Sequence, residues 1–361
     1  MIKLRFHFAL SLITALGLLL AACSAAPAAA PTVMPTSPAN GYPAQAATQP
    51  TSGYPAQATN APTSGYPEPL SSPTTGASPT SSSGPINLTD GLNRQVTLNG
   101  PAQKIVSLAP SNTELLYEVG AGAQVIGRDD FSDFPAEAKA LPSVGGSMGN
   151  YNLEAITALK PDLVLAAQIN TPEQVKSLED LGITVYYLNN PKDLNGLYQN
   201  LQIVGTLTGK TDQAAALVQS LQARVQTVQT KLAAITTHPK VYYELDATDP
   251  TKPYTAGPGS YVDTLLQMAG GQNIGAALGS DYAQISSEEV ITQNPDFILL
   301  GDAAYGVTVD SVGQRPGWSA INAVKNNQVL AFDDNTVSRP TARLVDALEN
   351  LAKILHPEAF N

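Results

Sequence analysis

Side chains that carry most enzyme chemistry are scarce in this sequence. Beyond His7 in the N-terminal run, the histidines are His238 and His356. Apart from Glu358 beside His356, neither has an Asp, Glu or His at ligand spacing. No zinc or manganese cluster is therefore expected, and both histidines are assigned to the surface. A Ser/His/Asp hydrolase would need one of them, and no Gly-x-Ser-x-Gly elbow occurs. No catalytic residue, metal ligand or cofactor is assigned, while a carboxylate pair acting as acid and base stays open. Gly205-Thr-Leu-Thr-Gly-Lys-Thr211 imitates a phosphate loop but is one residue short, with Val204 where the first glycine belongs. It follows a predicted helix over 194–207, so Gly209 reads as a helix stop. What remains is aromatic. Phe131, Phe134, Tyr151, Tyr254, Tyr261, Tyr282, Tyr305 and Trp318 lie near Gly, Pro, Asp or Ser, at the ends of predicted strands or the starts of helices. In open α/β sheets those positions face the ligand crevice. Their spread over both halves of the chain predicts a cleft that clamps a large, partly apolar ligand.

Those segments need elements to hold them. From Lys104 onward, short apolar runs alternate with amphipathic stretches. Lys104-Ile-Val-Ser-Leu reads as a strand, Ser111-Asn-Thr-Glu114 as a capping box opening a helix to Val119, and Val125-Ile-Gly as the next strand. Asn152 caps a helix that Pro161 stops, and Asp162-Leu-Val-Leu-Ala-Ala reads as a buried strand. A helix over 172–181 and a strand over 183–188 follow, an alternation that predicts parallel α/β layers. The phrase beginning Asn152-Leu-Glu154 returns as Ser286-Ser-Glu288 at a constant offset of 134, aligning Pro161 with Pro295 and Asp162 with Asp296. A weaker echo pairs Gly122-Ala-Gln-Val-Ile-Gly127 with Gly270-Gly-Gln-Asn-Ile-Gly275. Two lobes of similar topology are expected, over about 103–208 and 240–361. Between them, residues 212–235 lack Gly and Pro and predict a helix of roughly 36 Å. A last helix is expected over 341–355.

The N-terminus is different. Lys3 and Arg5, the apolar run at 8–20 and Leu20-Ala-Ala-Cys23 describe a secretory signal peptide over 1–22, too short to span a bilayer as a helix. Cys23 is the one cysteine, which rules out an internal disulfide. Residues 24–85 hold 13 of the 28 prolines, a Gly-Tyr-Pro repeat at Gly41, Gly53 and Gly65, and only Glu68 as a charge. Such a segment cannot bury enough apolar surface to offset its conformational entropy, and reads as a tether of roughly 45 Å. That leaves a folded domain at 86–361. The formal charge of -11, with no basic run, argues against nucleic acid as a partner.

Leu20-Ala-Ala-Cys23 resembles the bacterial lipobox, which implies acylation (palmitate or a similar chain) of Cys23 and anchoring to the extracytoplasmic face of the cell membrane. Acyl chains contribute about 0.8 kcal/mol per buried methylene. From roughly 96 to 360 the chain resembles the extracytoplasmic substrate-binding proteins of cobalamin and iron-siderophore ABC importers, the class III or helical-backbone group. The resemblance is carried by Ile105-Val-Ser-Leu-Ala-Pro-Ser-Asn-Thr-Glu-Leu115, Phe131-Ser-Asp-Phe-Pro135, Asn152-Leu-Glu154 with Lys160-Pro-Asp-Leu-Val, Tyr254-Thr-Ala-Gly, Arg315-Pro-Gly-Trp318 and Ser338-Arg-Pro-Thr-Ala-Arg343. It implies two Rossmann-like lobes joined by a single long α-helix, a ligand cleft between them, and a membrane permease with its ATPase as partners. Phe131, Tyr254 and Tyr282 match aromatic ligand positions of the cobalamin-binding members, and Arg339 matches a cleft position in the second lobe. Tyr151, Tyr305 and Trp318 complete the expected ligand-binding set. Where those members place a tryptophan before Asn-Leu-Glu, this chain has Ser147-Met-Gly-Asn-Tyr151, which bears on the identity of the ligand. Glu154 and Glu288 match the glutamates that dock on the permease, although a first-turn glutamate also suits a helix dipole. The expected protein is a monomeric receptor, not an enzyme, for a ferric siderophore or a corrinoid, with haem less favoured. A tethered carboxylate-dependent hydrolase and a surface sensor or adhesin are the alternatives, and both leave the importer motifs unaccounted for.

Overall fold

Parallel strands covered on both faces are continuous apolar runs, and the central strands of this chain are built that way. A computed structural model describes residues 84–146 and 149–360. The expected signal peptide, Cys23 and almost all of the tether lie outside the described residues. Among those described, no helix is long and apolar enough to cross a membrane.

The described chain opens with a hairpin that the sequence reading missed, β1 (Ile86–Thr89) and β2 (Gln95–Leu98), paired antiparallel. Asp90 builds its turn by accepting the N–H groups of Leu92 and Arg94, both at 3.0 Å. The first lobe then runs β3 (Ile105–Ser107), α1 (Pro110–Glu118), β4 (Val125–Arg128), α2 (Leu153–Leu159), β5 (Leu163–Ala167), α3 (Pro172–Glu179), β6 (Val185–Leu188) and α4 (Leu194–Thr208). Its sheet has the order β4-β3-β5-β6, all parallel. Gly209, at φ +71, ends α4 in the left-handed conformation, which bears out the helix-stop reading of the phosphate-loop look-alike.

The connecting helix α5 (Thr211–Leu232) follows directly. Its 22 residues give about 33 Å. Ala214, Val218, Leu221, Val225 and Val228 are its buried residues, spaced alternately four and three apart. One stripe is thus apolar and the rest of the helix is free to be polar.

The second lobe runs β7 (Lys240–Asp246), β8 (Tyr254–Ala256), α6 (Tyr261–Met268), β9 (Gln272–Asn273), β10 (Tyr282–Gln284), α7 (Ser287–Gln293), β11 (Phe297–Leu300), α8 (Val309–Val312), α9 (Asn322–Lys325), β12 (Val329–Ala331), α10 (Asn335–Ser338) and α11 (Arg343–Leu355). Its parallel strands, β9-β7-β11-β12, repeat the order of the first lobe, and β8 and β10 extend the sheet antiparallel beside the far end of β7. The 134-residue repeat is visible atom by atom. Asn152 and Ser286 cap α2 and α7 through their side chains, and Lys160 (φ +51) and Asn294 (φ +49) end them in the left-handed conformation. Asp162 then holds the N–H of Lys104 at 3.0 Å and Asp296 that of Lys240 at 3.0 Å, fixing where each first strand begins.

One apolar cluster passes from Leu165 and Tyr186 of the first lobe, through α4 and α5, to Val241, Leu265 and Leu348 of the second, so the lobes share a core. Polar contacts reinforce that junction and correct two sequence expectations. The capping box at Ser111 does not form. Pro110 starts α1 one residue earlier, with Ala109 as an uncapped N-terminus, because a proline there removes a donor that would otherwise need a partner. Glu114 is instead fully buried against the second lobe, taking Arg339 at 2.9 Å, Arg343 at 3.3 Å and the Thr341 hydroxyl at 3.1 Å. One turn on, the Glu118 carboxylate accepts the Ala342 N–H at 3.0 and 3.1 Å, capping the first turn of α11 from the opposite lobe. The second correction is His356, which is 1% exposed rather than on the surface. It ends α11 against the carbonyl of Gly270 (3.3 Å), where φ +81 and the absence of Cβ let the ring approach.

Burial pushes the Glu118 carboxyl up to about 8 from 4.5, with Glu114 and Asp346 adding repulsion that the Ala342 N–H only partly offsets. Between those values the folded state keeps a proton that the unfolded chain has released, so this residue lowers stability as pH rises through the window. Glu118→Gln, which keeps an acceptor for Ala342, should raise Tm above the unmodified protein at pH 8–9 by on the order of 2–4 °C, the shift expected for ~1 kcal/mol in a domain of this size. The gain should shrink to nothing near pH 4.5; a gain independent of pH in calorimetry would rule out titration as its source.

Candidate ligand-binding site

In a sheet of parallel strands the carboxyl ends face the crevice where ligands bind. Seven large apolar side chains are exposed among the described residues, and six of them, all but Leu181, lie just beyond such ends or on the β8-β10 pair. In the first lobe they are Phe131, 57% exposed after β4, and Ile169 after β5. In the second they are Tyr254 on β8, Tyr282 on β10, and Tyr305 (87% exposed) and Val309 after β11. Tyr282 lies opposite Ala256, two residues from Tyr254 along β8, so both tyrosines stand on the same face of the pair.

Each loop is held from beneath. Phe131 is positioned by buried Asp129, which accepts its N–H at 2.8 Å and holds the Ser132 hydroxyl. Ser132 contacts Thr113 at 2.7 Å and Thr113 donates to Ser107 at 2.8 Å, so a chain of buried hydroxyls runs from the loop to β3. Burial pushes the Asp129 carboxyl up, against the Ser132 and Phe131 donors. Tyr151 is half-buried; its hydroxyl donates to the Leu108 carbonyl at 2.8 Å and accepts from Asn170 at 2.7 Å. Asn170 in turn accepts the Ala167 N–H at 2.7 Å, so Tyr151 braces the ends of β3 and β5. In the second lobe the Tyr243 hydroxyl donates to Asp334 at 2.7 Å, and Tyr261 reaches across to the Pro191 carbonyl of the first lobe. Burial raises the Tyr282 phenol, and the negative charges of Asp334 and Asp281 raise it further.

Two expected site residues are placed differently. Trp318 is fully buried and does not line the cleft. The turn at Gly317 (φ +81) folds its ring inward, where it meets Tyr242 edge-on at 5.8 Å and donates to the Ser287 hydroxyl at 2.6 Å. The Arg315 guanidinium lies 4.6 Å over the ring and pairs with buried Glu244 at 2.7 Å. Trp318 thus fastens the first turn of α7, and with it Glu288, to the lobe's core. Arg339 does lie between the lobes, yet its guanidinium is only 15% exposed and is shared by Glu114 and Asp133 at 2.9 and 2.7 Å. Glu154 and Glu288 are exposed in the first turns of α2 and α7 at equivalent places in the two lobes. Ile169, Val309 and Asn170 were missed. An isolated Ile or Val in a loop gives no periodic signal, while Ile169-Asn170 directly behind the run at 163–167 marks a strand end. A pocket of about 440 Å³ lies beyond the carboxyl end of β6, between Asp90, Tyr187, Asn189 and Gln199, and none of the exposed large apolar side chains lines it.

Residues 105–336 match the sequence model of a family described as periplasmic binding protein. An ABC transporter substrate-binding lipoprotein of Bacillus subtilis is 33% identical over 279 residues, 76% of this chain and 87% of the relative. The crystal structure of a periplasmic vitamin B12 binding protein of Vibrio cholerae superposes with a TM-score of 0.60 at 28% identity, covering 72% of this chain and 99% of that one. A periplasmic heme-binding protein from Roseiflexus sp. RS-1, in apo form, superposes with a TM-score of 0.63 at 27% identity over 72% and 99%.

The burial pattern separates stability from recognition. Trp318→Ala should cost about 3–5 kcal/mol in denaturant unfolding, as large aromatic deletions in cores do. Phe131→Ala and Tyr305→Ala should stay within about 0.5 kcal/mol of the parent. Equal losses at all three positions would contradict this placement.

Proposed function

The chain belongs to the periplasmic binding protein family, and on that premise we propose that it captures a large metal chelate, a corrinoid or a ferric siderophore, and hands it unchanged to an ABC importer. The observation that carries the reading is the set of exposed apolar side chains on two lobes that share a core. A free protein keeps Phe131, Tyr282 and Tyr305 in water at a hydration cost, which a partly apolar ligand would relieve. The ligands of the vitamin B12 and heme binding neighbours support the same class of cargo. In this reading Phe131, Tyr254, Tyr282 and Tyr305, with the newly recognised Ile169, contact the ligand. Tyr151 and Arg339 act from behind them, one bracing a loop and the other joining the lobes.

Glu154 and Glu288 are the permease contacts in this proposal. They stand on helices of equal length with matching caps, so a two-fold partner would meet the same carboxylate twice. Export by residues 1–22, acylation of Cys23 and a tether to residue 85 would place the receptor on the outer face of the cell membrane, near a permease and its ATPase.

An absorbance titration of the purified domain with cyanocobalamin, cobinamide, haemin and ferric siderophores tests the first claim, and a complete lack of binding would remove it. Glu154→Ala/Glu288→Ala should abolish uptake with ligand Kd unchanged within about twofold; a lost affinity would move both residues into the cleft. Cys23→Ser should shift the protein from the membrane fraction to the soluble one, and retention in the membrane would remove the lipid anchor.

A further inference from the structure

The charges around the cleft are strongly one-sided. Asp133, Asp246, Asp302, Asp333 and Asp334 all follow or end parallel strands at their carboxyl ends. Every arginine near them is already engaged. Arg339 is shared by Glu114 and Asp133, and Arg343 by Glu114 and Asp333. Arg128 turns away onto backbone carbonyls, among them Ala138 at 3.0 Å and Asp129 at 2.7 Å. The junction formed by Glu114, Asp133, Asp333, Arg339 and Arg343 keeps one surplus negative charge. Asp334 is bonded by the neutral Tyr243 hydroxyl and Asp246 by the Thr248 N–H at 2.7 Å, so neither is compensated by a cation.

A buried group adds a second, independent sign. Asp302 is 4% exposed, its Oδ2 takes the Ala247 N–H at 2.9 Å, and its Oδ1 has no partner. An unmatched acceptor buried just beyond the carboxyl end of β11 adds to the negative potential at that end of the sheet. Exposed Lys139, Lys192 and Lys252 are the cations remaining at strand-end loops, fewer than the carboxylates there, and no described arginine is free to meet a carboxylate. Low-dielectric walls lined by one sign focus the field on whatever enters.

We propose that this cleft selects uncharged or cationic chelates and rejects anionic ones such as those bearing carboxylate or catecholate groups. The inference rests on the chelate-binding reading above and narrows it. An anionic ligand could take an arginine only by breaking the buried Arg339–Glu114 pair, leaving that carboxylate uncompensated, and would otherwise have only solvated lysines at the loop surface, whereas a neutral or positive chelate needs neither. Apolar contact with Phe131, Ile169 and the tyrosines is common to both kinds of ligand, so charge decides between them.

The test is a matched titration of the domain, at 20 and 500 mM NaCl, with aquacyanocobinamide and ferrioxamine B as cations, cyanocobalamin as the neutral member, and haemin and ferric enterobactin as anions. At low salt the tightest cationic or neutral probe should bind at least tenfold better than either anion, and the gap for the cation should narrow at high salt as screening weakens the field. Asp133→Asn/Asp246→Asn, which removes two exposed charges, should weaken the cation at least threefold and strengthen haemin. Haemin or ferric enterobactin binding within tenfold of the best probe overturns the charge rule while leaving the receptor reading intact. Absence of binding by all five overturns both.

Discussion

The docking of α11 on α1 is the constraint from which the rest of the site follows. A helix that begins between two lobes exposes several N–H groups that need acceptors, and a second lobe attached only by a connecting helix could swing away from them. Here Glu118 of the first lobe supplies one acceptor, and Glu114, with Asp133 and Asp333, neutralises the two arginines that flank the same turn. Behind this polar seam, α5 and α11 bury Leu221, Val225, Leu344 and Leu348 in a cluster that reaches both sheets. A buried pair of this kind gives little net stability against an apolar substitute, but it is intolerant of losing one partner, and that intolerance fixes geometry. The two sets of strand ends are therefore held at a set separation before any ligand arrives.

A preformed cleft changes where affinity comes from. If little ordering is required on binding, the contact residues need not be held in a strained or mobile state, and they can stand exposed on loops that are rigid underneath. The Asp129-Ser132-Thr113-Ser107 chain does this for Phe131, and Tyr151 with Asn170 does it for the loop that carries Ile169. These supports are polar and fully partnered, which suits them to fix position. The residues they support are apolar and lack partners, which suits them to bind.

Much of this organisation was legible in the residue order because it is local. The repeat at offset 134 located α2, β5, α7 and β11, since a capping side chain, a left-handed terminal residue, Pro and Asp act within a single turn. The stop at Gly209 and the long helix after it are also local properties. The failures share a different cause. Ser111-Asn-Thr-Glu114 has the letters of a capping box, but its glutamate is bonded to residues more than two hundred positions away. His356 and Trp318 sit among turn-forming residues, and their burial depends on Gly270, Tyr242 and Ser287, which come near only through tertiary packing. The β1-β2 hairpin, with alternating burial and an Asp90 turn, had a signal, but a weak one beside the Pro-rich segment that precedes it.

The two lobes are alike where they form scaffold and differ in the segments proposed to contact the ligand. The parallel strands, the caps of α2 and α7 and the exposed Glu154 and Glu288 are common to both. Between β4 and α2 the first lobe has an irregular segment that holds Phe131 and Tyr151. At the equivalent place, between β9 and α7, the second has β10, which pairs with β8 and carries Tyr282 beside Tyr254. A repeated unit favours a symmetric partner, because the same surface is presented twice. An asymmetric ligand favours the opposite, since each side of it must find a different wall. Keeping the repeat in the helices that bear Glu154 and Glu288, and confining divergence to the segments just before them, lets one chain satisfy both demands. On the proposed reading, residues 129–151 and 274–286 would be shaped by the cargo and the surface bearing the two glutamates by the partner.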